Sequence, residues 1–542
     1  MQFRKSLSVL ITFLLIGYFS NGQLYINGAT FYIQSGATVT VQGDVQNAGT
    51  LTNDGILQVQ GNFVNTSVYD GLTANGILQM TGGGNVTLNG GASTINNLVI
   101  NKTSATDRVL LAGTTLVGLT LNHTNGVFST DPITNPTFTL TSPATATYTF
   151  AAGKEIVGRV KRTGWSNGLS RVFNQTNMLV TTNAGTTPTD FTVTMIPLSE
   201  GGDPTQAERE VKRKFAFAQT GGTGFTADIR FPYLTTELNT NNENNLVPWD
   251  LVGATEWNGR LTPVTRDGVN DYISTTGITA AELPLEWKLA DPKYTFNVTA
   301  NLRGPWNNTD MNTTINTAGI IPNLQPYNVT PFSYTGTENQ AVPNANVVDW
   351  VLVEHRKPAS GLATDATSAT ITGRKAGYLL KSGLIVDVDG ITPIYFDVTK
   401  QGSSYIVVRH RNHLGVMSNT IASNAAGTFT NDYSILANSY KPVGAPSDPV
   451  VLLAGVGGKY GLWAGDANKS NSVNAGDVTA IKAAIAVAAT GYLLTDVNLS
   501  NSVNAGDVTL TKLTISSSGT AGTFAPISTG KMLSNIPDKI IE

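Results

Sequence analysis

Cysteine does not occur anywhere in this chain of 542 residues, so no disulfide contributes to its stability. Charge is scarce as well. Asp, Glu, Lys and Arg together make up 13% of the residues, about half the ~25% of an ordinary globular chain. With a formal net charge of −3 and no concentrated basic stretch, the sequence excludes an electrostatic nucleic-acid partner. Beyond the N-terminus no apolar run approaches the ~20 residues that a spanning helix needs. Neither a Gly-x-Ser-x-Gly elbow nor a phosphate-cradling Gly-Lys-Ser loop is present. Glycine, threonine and asparagine fill the space that charge leaves. Val, Ile, Leu, Phe and Tyr recur between them in short alternating runs, which reads as strands and tight turns rather than disorder. At this length a single core is excluded, and three or four domains are expected.

The N-terminus carries a different signal. Arg4 and Lys5 precede an apolar stretch from Val9 to Phe19, and Ser20-Asn21-Gly22 offers small residues for cleavage before Gln23. That is the pattern of a secretory signal peptide, and the apolar run is too short for a membrane anchor. Residues 1–22 are expected to be removed, leaving no transmembrane segment and a secreted or bacterial cell-surface protein. For an exported chain without disulfides, bound calcium is one remaining source of stability.

Residues 23–150 are repetitive. Gly43, Gly49, Gly55 and Gly61 fall six apart, and Gly55-Ile56-Leu57-Gln58-Val59-Gln60-Gly61 recurs as Gly76-Ile77-Leu78-Gln79-Met80-Thr81-Gly82. Short alternating strands such as Thr38-Val39-Thr40-Val41, separated by Gly or Asn-Asp-Gly corners, predict a β-solenoid. A sandwich with Gly-rich hairpins is the alternative. Glycine at the corners is expected to supply positive φ. The polar outer face suits either a glycan ligand or a simple stalk.

Charge appears in residues 151–300, as in Glu208-Arg209-Glu210-Val211-Lys212-Arg213-Lys214, followed by strand-like runs around Phe215 and Phe231. Trp249, Trp257 and Trp287 read as core aromatics of a β-sandwich module, with sugar stacking as the alternative. In residues 301–445, Val347 to Glu354 is read as alternating around Trp350, Gly377 to Val388 as a hairpin and Ser404 to Arg409 as a strand. An immunoglobulin-like sandwich is the economical expectation for this second β-rich module. The phrases Leu302-Arg303-Gly304-Pro305-Trp306, Val348-Asp349-Trp350-Val351 and Arg409-His410-Arg411-Asn412-His413-Leu414-Gly415 resemble a module of exported Bacteroidetes-type surface proteins. The resemblance covers about residues 205–525 and implies location and architecture, not a reaction.

The densest signal lies in residues 446–525. Ser470-Asn471-Ser472-Val473-Asn474-Ala475-Gly476-Asp477-Val478-Thr479 recurs unchanged at 500–509. Each copy reads as a twelve-residue calcium loop, because a hard cation takes six to eight oxygens and this spacing wraps the chain around one ion. The first loop offers Asp466, Asn468, Ser470, Ser472 through its carbonyl, Asn474 and Asp477. The second offers Asp496, Asn498, Ser500, Ser502, Asn504 and Asp507 likewise, so two calcium ions are expected. Asn471 and Asn501 stand at the sharp turn, where asparagine tolerates the left-handed conformation. A helix is predicted after each loop, Val478 to Val487 with Ile481 and Ile485 on one face, and Val508 to Ile515 with Leu513.

Duplicated loop-then-helix units closing on Asp are similar to the type I dockerin module. The resemblance implies a small α-helical calcium domain and a cohesin-type protein partner. Ala475-Gly476 and Ala505-Gly506 stand where dockerins carry their recognition pair. A purely structural role for the ions is the other reading. The tail, 526–542, receives no role.

His410 and His413 have zinc-like spacing, but they follow a strand between two arginines, so a structural turn is expected. Glu237, Glu256, Glu282 and Glu286 are acidic candidates without mutual support. The expected protein is mainly β, calcium-binding, non-catalytic and structural or adhesin-like. The alternative is a component of a polysaccharide-degrading system, binding glycan or hydrolysing glycosides through two carboxylates about 5–10 Å apart.

Overall fold

The structure, a computed structural model, describes residues 22–70, 75–130, 138–200, 210–252, 256–424, 427–455, 457–517 and 531–538. The expected signal peptide, 1–22, lies outside the described residues apart from Gly22, and of the tail 526–542 only 531–538 are described. The chain is mainly β. Its internal contacts divide it into two units. One comprises Met1–Gly202, Lys214–Phe231 and Gly277–Pro284, the other Asp203–Arg213, Pro232–Thr276 and Leu285–Glu542. No helix among the described residues is long and apolar enough to cross a membrane.

The first unit begins as a β-solenoid-like stack of parallel strands. Val41 pairs with Val59, Val59 with Met80, Met80 with Ile100, Ile100 with His123 and His123 with Phe150. One inward column thus runs through six coils, with Leu57, Leu78, Leu98 and Leu121 fully buried beside it. The coils differ in length, which is why only the Gly55 and Gly76 copies look alike in sequence. His123 fills an aliphatic position in this column, edge-on to Phe128 and Phe150. Burial pushes its pKa down to about 4, against the hydrogen bond of Nε2 to the Gly126 carbonyl.

Some glycines of the coils, among them Gly36, Gly82 and Gly91, have the positive φ expected of them, but others are required for a different reason. Gly49, Gly55 and Gly76 do not have positive φ. A Cβ on Gly55 would stand 2.3 Å from the Ala37 carbonyl oxygen, and one on Gly76 2.1 Å from that of Asn53. Close approach of consecutive coils therefore selects glycine there. Buried asparagines hold the corners together. Asn47 Nδ2 donates to Asn65 Oδ1 at 2.7 Å, and Asn65 Nδ2 donates to the Gly90 carbonyl at 3.0 Å. Asn65→Ala removes the acceptor of one N–H of the buried Asn47 amide, whose other N–H keeps the Val68 carbonyl, and the donor to the buried Gly90 carbonyl, so a loss of about 1–3 kcal/mol is expected in urea denaturation. The stack ends where Ile156–Thr163, parallel to Leu140–Pro143, pairs antiparallel with Asp190–Pro197.

In the second unit Val347–Arg356 is the central strand, antiparallel to both Ile371–Leu380 and Tyr405–Arg409. The alternation expected around Trp350 is absent, because all ten residues of this strand are buried. Trp350 and His355 point to opposite faces, and both faces are covered. Trp350 Nε1–H donates to the Pro322 carbonyl at 2.8 Å, while His355 packs on Phe429 with ring centroids 4.9 Å apart. Phe429 belongs to a three-stranded sheet of Ile394–Asp397, Lys293–Thr299 and Thr428–Asp432, in which Phe296 stacks on Phe396 at 4.1 Å. Trp249, Trp257 and Trp287 are all buried, as core packing predicts.

Candidate metal-binding loops

The two loops repeat one hydrogen-bonding scheme. In the first, Asp466 accepts from the Ser470 and Asn471 N–H groups at 2.8 and 3.0 Å, and Asp477 accepts from those of Asn468 and Asn474 at 3.2 and 2.8 Å. In the second, Asp496 accepts from Ser500 and Asn501 at 2.9 and 2.8 Å, and Asp507 from Asn498 and Asn504 at 3.1 and 2.9 Å. Ser470 and Ser500 each donate from Oγ to the carbonyl of Ser472 and Ser502. Asn471 and Asn501 adopt φ of 57° and 65°, the left-handed turn expected of them. All twelve residues singled out in the sequence thus lie in two loops that close on paired carboxylates.

The loops run into helices Ala475–Ala486 and Ala505–Ser516, each starting three residues earlier than predicted. Asn474 and Asn504 cap them, and Asp477 and Asp507 complete capping boxes, so the last loop residues also satisfy the first helical N–H groups. Ile481 faces inward, but Ile485 and Leu513 are exposed. In the second helix the inward face is Thr511, Thr514 and Ile515. It packs against the β-structure of its own unit, where Thr514 Oγ1–H donates to the Ala464 carbonyl. Ala475-Gly476 and Ala505-Gly506 are exposed at the two helix starts.

All four loop carboxylates are buried. Burial, and next the facing Asp477, pushes Asp466 up to about 7. Burial likewise raises Asp477, Asp496 and Asp507 against their backbone hydrogen bonds. Among the described residues no three His, Cys, Asp or Glu side chains converge as a metal site. Each loop combines two carboxylates with amide, hydroxyl and carbonyl oxygens, a hard-donor mixture suited to calcium rather than zinc.

The residues that hold the loops in place come from far away in sequence. After strand Tyr405–Arg409, residues 412–414 run beside 463–466. The Leu414 N–H donates to the Trp463 carbonyl at 2.8 Å, and those of Gly465 and Asp466 to the Asn412 carbonyl at 3.1 Å. Asn412 Nδ2 donates to the carbonyls of Leu494 and Asp496 at 3.0 and 2.9 Å. Arg411 reaches the Leu493 carbonyl and pairs with Asp349 at 2.8 Å. Tyr492 donates its hydroxyl to Asp349. Burial alone would raise Asp349, but Arg411 and then His410 outweigh it and hold the carboxyl at about 2.

His410 and His413 are neutral members of this network. The Gly304 N–H donates to His413 Nε2 at 3.1 Å, which leaves the proton on Nδ1, 2.9 Å from Asn412 Oδ1. His410 Nε2 lies 3.1 Å from Asp349 Oδ2 as donor. Burial lowers both pKa values, His413 well below the ordinary range. Both rings are enclosed within the hydrogen-bonded turn that follows the strand.

The tail adds a third tie. Met532–Leu533 pairs with Ser472–Val473. Asp538 forms ion pairs with Arg356, at 2.9 Å, and with Arg409, both of which also hold Glu354. Neither this tie nor Asp349 was legible as a site, because the partners are separated by long stretches of sequence. The crowding of Arg, His and Asn in 409–413 directly after a buried strand was the one available signal. Of the glutamates weighed for hydrolysis, Glu237 is committed to a buried ion pair with Arg213 at 2.8 Å. Glu282 accepts from the Thr279 N–H and Oγ1. No protein-family model, no curated protein and no solved structure matches this chain.

Proposed function

We propose that residues 466–477 and 496–507 each take one calcium ion. On this reading the protein is a secreted or cell-surface, non-catalytic structural protein of adhesin-like kind, whose dockerin-like segment is fastened to its own β-structure. The observation that carries this reading is the same hydrogen-bonding scheme built twice around two buried carboxylates. Buried carboxylates whose charged form burial opposes are stabilised by a cation placed between them. Two carboxylates match the charge of one divalent ion with no excess, which sets the Kd at roughly 10⁻⁴–10⁻³ M, the extracellular range. The meeting of two sheets at Phe296, Phe429 and His355 supports an immunoglobulin-like sandwich ahead of the loops. Docking of a cohesin-type partner is the second reading, favoured by the exposure of Ala475-Gly476 and Ala505-Gly506.

Calorimetric titration of the full chain with calcium, beside the Asp466→Ala/Asp496→Ala double variant, tests the first reading. Two ions per chain are expected in the native protein and none in the variant. No binding heat and no thermal shift at millimolar calcium would overturn it.

A further inference from the structure

Two ion sites on separate loops bind independently unless something rigid touches both. Here a single buried residue outside the loops does so. The backbone carbonyl of Asn412 accepts from the N–H of Asp466, the first ligand residue of one loop, at 3.1 Å. Its side-chain Nδ2 donates to the carbonyl of Asp496, the first ligand residue of the other, at 2.9 Å. Asn412 is fully buried. It cannot slide: Arg411 on one side is anchored to Asp349 at 2.8 Å, and His413 on the other to the Gly304 N–H at 3.1 Å. Gly304 itself presses on the second loop, since a Cβ there would stand 2.1 Å from the Val497 carbonyl oxygen.

We infer that Asn412 is a positioning residue that couples the two cation sites, so that filling one loop raises the affinity of the other through the 409–413 segment. This rests on the calcium reading above. An ion held by the first aspartate of either loop fixes the backbone of residue 466 or 496, and so acts on the hydrogen bond which that residue shares with Asn412. Because both act on Asn412, the ordering done when the first ion binds is already in place for the second. The coupling is reciprocal by linkage. A direct route also exists, since Ala467, Ile481 and Val497 share a small core between the loops. The two routes are separable, because only the first passes through the Asn412 side chain.

The test is a cycle of calcium titrations on the full chain. Asp466→Ala silences the first loop and leaves the second to be measured. Expected is a loss of about tenfold in the second loop's affinity, equivalent to ~1.4 kcal/mol of coupling. In the Asn412→Ala background the second loop starts weaker, and Asp466→Ala changes it by less than about twofold. Should Asn412→Ala not fold, Asn412→Leu fills the same space without charge while removing both donations, and the same result is expected. Thr514→Val, in the same interface but hydrogen-bonded to Ala464 rather than to residue 412, lowers thermal stability and leaves the coupling intact. Equal coupling with and without the Asn412 side chain, or none in the native chain, overturns this inference. A native chain that takes up no calcium would sink the calcium reading itself.

Discussion

Asp349→Ala is expected to lower the stability of the second unit by about 3–5 kcal/mol, the usual cost of leaving one member of a buried ion pair behind. Asp349 is fully buried and accepts from Arg411 Nε at 2.8 Å, from His410, from the Tyr492 hydroxyl and from the Trp350 N–H at 2.8 Å. Without it a buried guanidinium keeps the Leu493 carbonyl and the Tyr492 ring, 4.0 Å away, but loses its ion pair, and the stretch that enters the second loop loses its tie at the Tyr492 hydroxyl. Asp349→Asn keeps part of the hydrogen bonding without the charge, so an intermediate loss is expected. Urea midpoints of the two variants give the order.

The same network sets the response to acid. Asp349 has a folded value of about 2 against roughly 3.9 in the unfolded chain. Between these the unfolded state binds more protons, so this stabilisation is complete above about pH 4 and lost as pH falls towards 2. The buried histidines act earlier. Burial, then Lys357, lowers His355 to about 3, while an unfolded histidine titrates near 6.5. Here too the unfolded state holds the extra proton. The contribution of His355 is expected to decline once pH drops below about 6.5 and to keep falling through pH 3, while the raised loop aspartates, Asp466 above all, act in the opposite direction over part of that range. A stability difference between the native chain and His355→Phe that stays flat from pH 7 to 5 would show that His355 is not enclosed as described.

What could be read in the sequence was what repeats locally. The Gly55 and Gly76 copies are adjacent coils, and the two ten-residue repeats are two loops with matching hydrogen bonds, because each owes its form to neighbours a few positions away. What could not be read depends on distant partners. Val347–Arg356 looked half-exposed, since alternation reports one covered face, and nothing local says that the segment around Pro322 and Tyr327 covers the other. Leu513 was picked out as the apolar residue of its helix. Docking against Trp463 and Ala464 instead turns Thr514 and Ile515 inward. The glycine corners were located correctly for an incomplete reason. A neighbouring carbonyl, not the sign of φ, excludes a side chain at Gly55 and Gly76.

Removal of residues 531–542 is expected to do more damage than Asp349→Ala, although the sequence of this tail suggested no role. Met532 and Ile536 are buried, at 1% and 5% exposure, and burial of each side chain stabilises by about 1.5–3 kcal/mol. Met532 joins Leu414, Trp463, Val473 and Ile515 in one cluster, so the tail closes the core between the first loop and the β-structure. Asp538 supplies the second carboxylate to a set in which Arg356 and Arg409 otherwise share only Glu354. Loss of that carboxylate leaves excess positive charge on a fully buried Arg356. Together these give an expected loss above about 5 kcal/mol, with Asp538→Ala alone accounting for less than the whole. The tail also pairs with Ser472–Val473 and its Ser534 N–H donates to the Asn471 carbonyl at 3.1 Å. Calcium affinity at the first loop should therefore fall with stability. Denaturation of the shortened chain at the same urea concentration as the full one would mean that the tail lies on the surface without holding it.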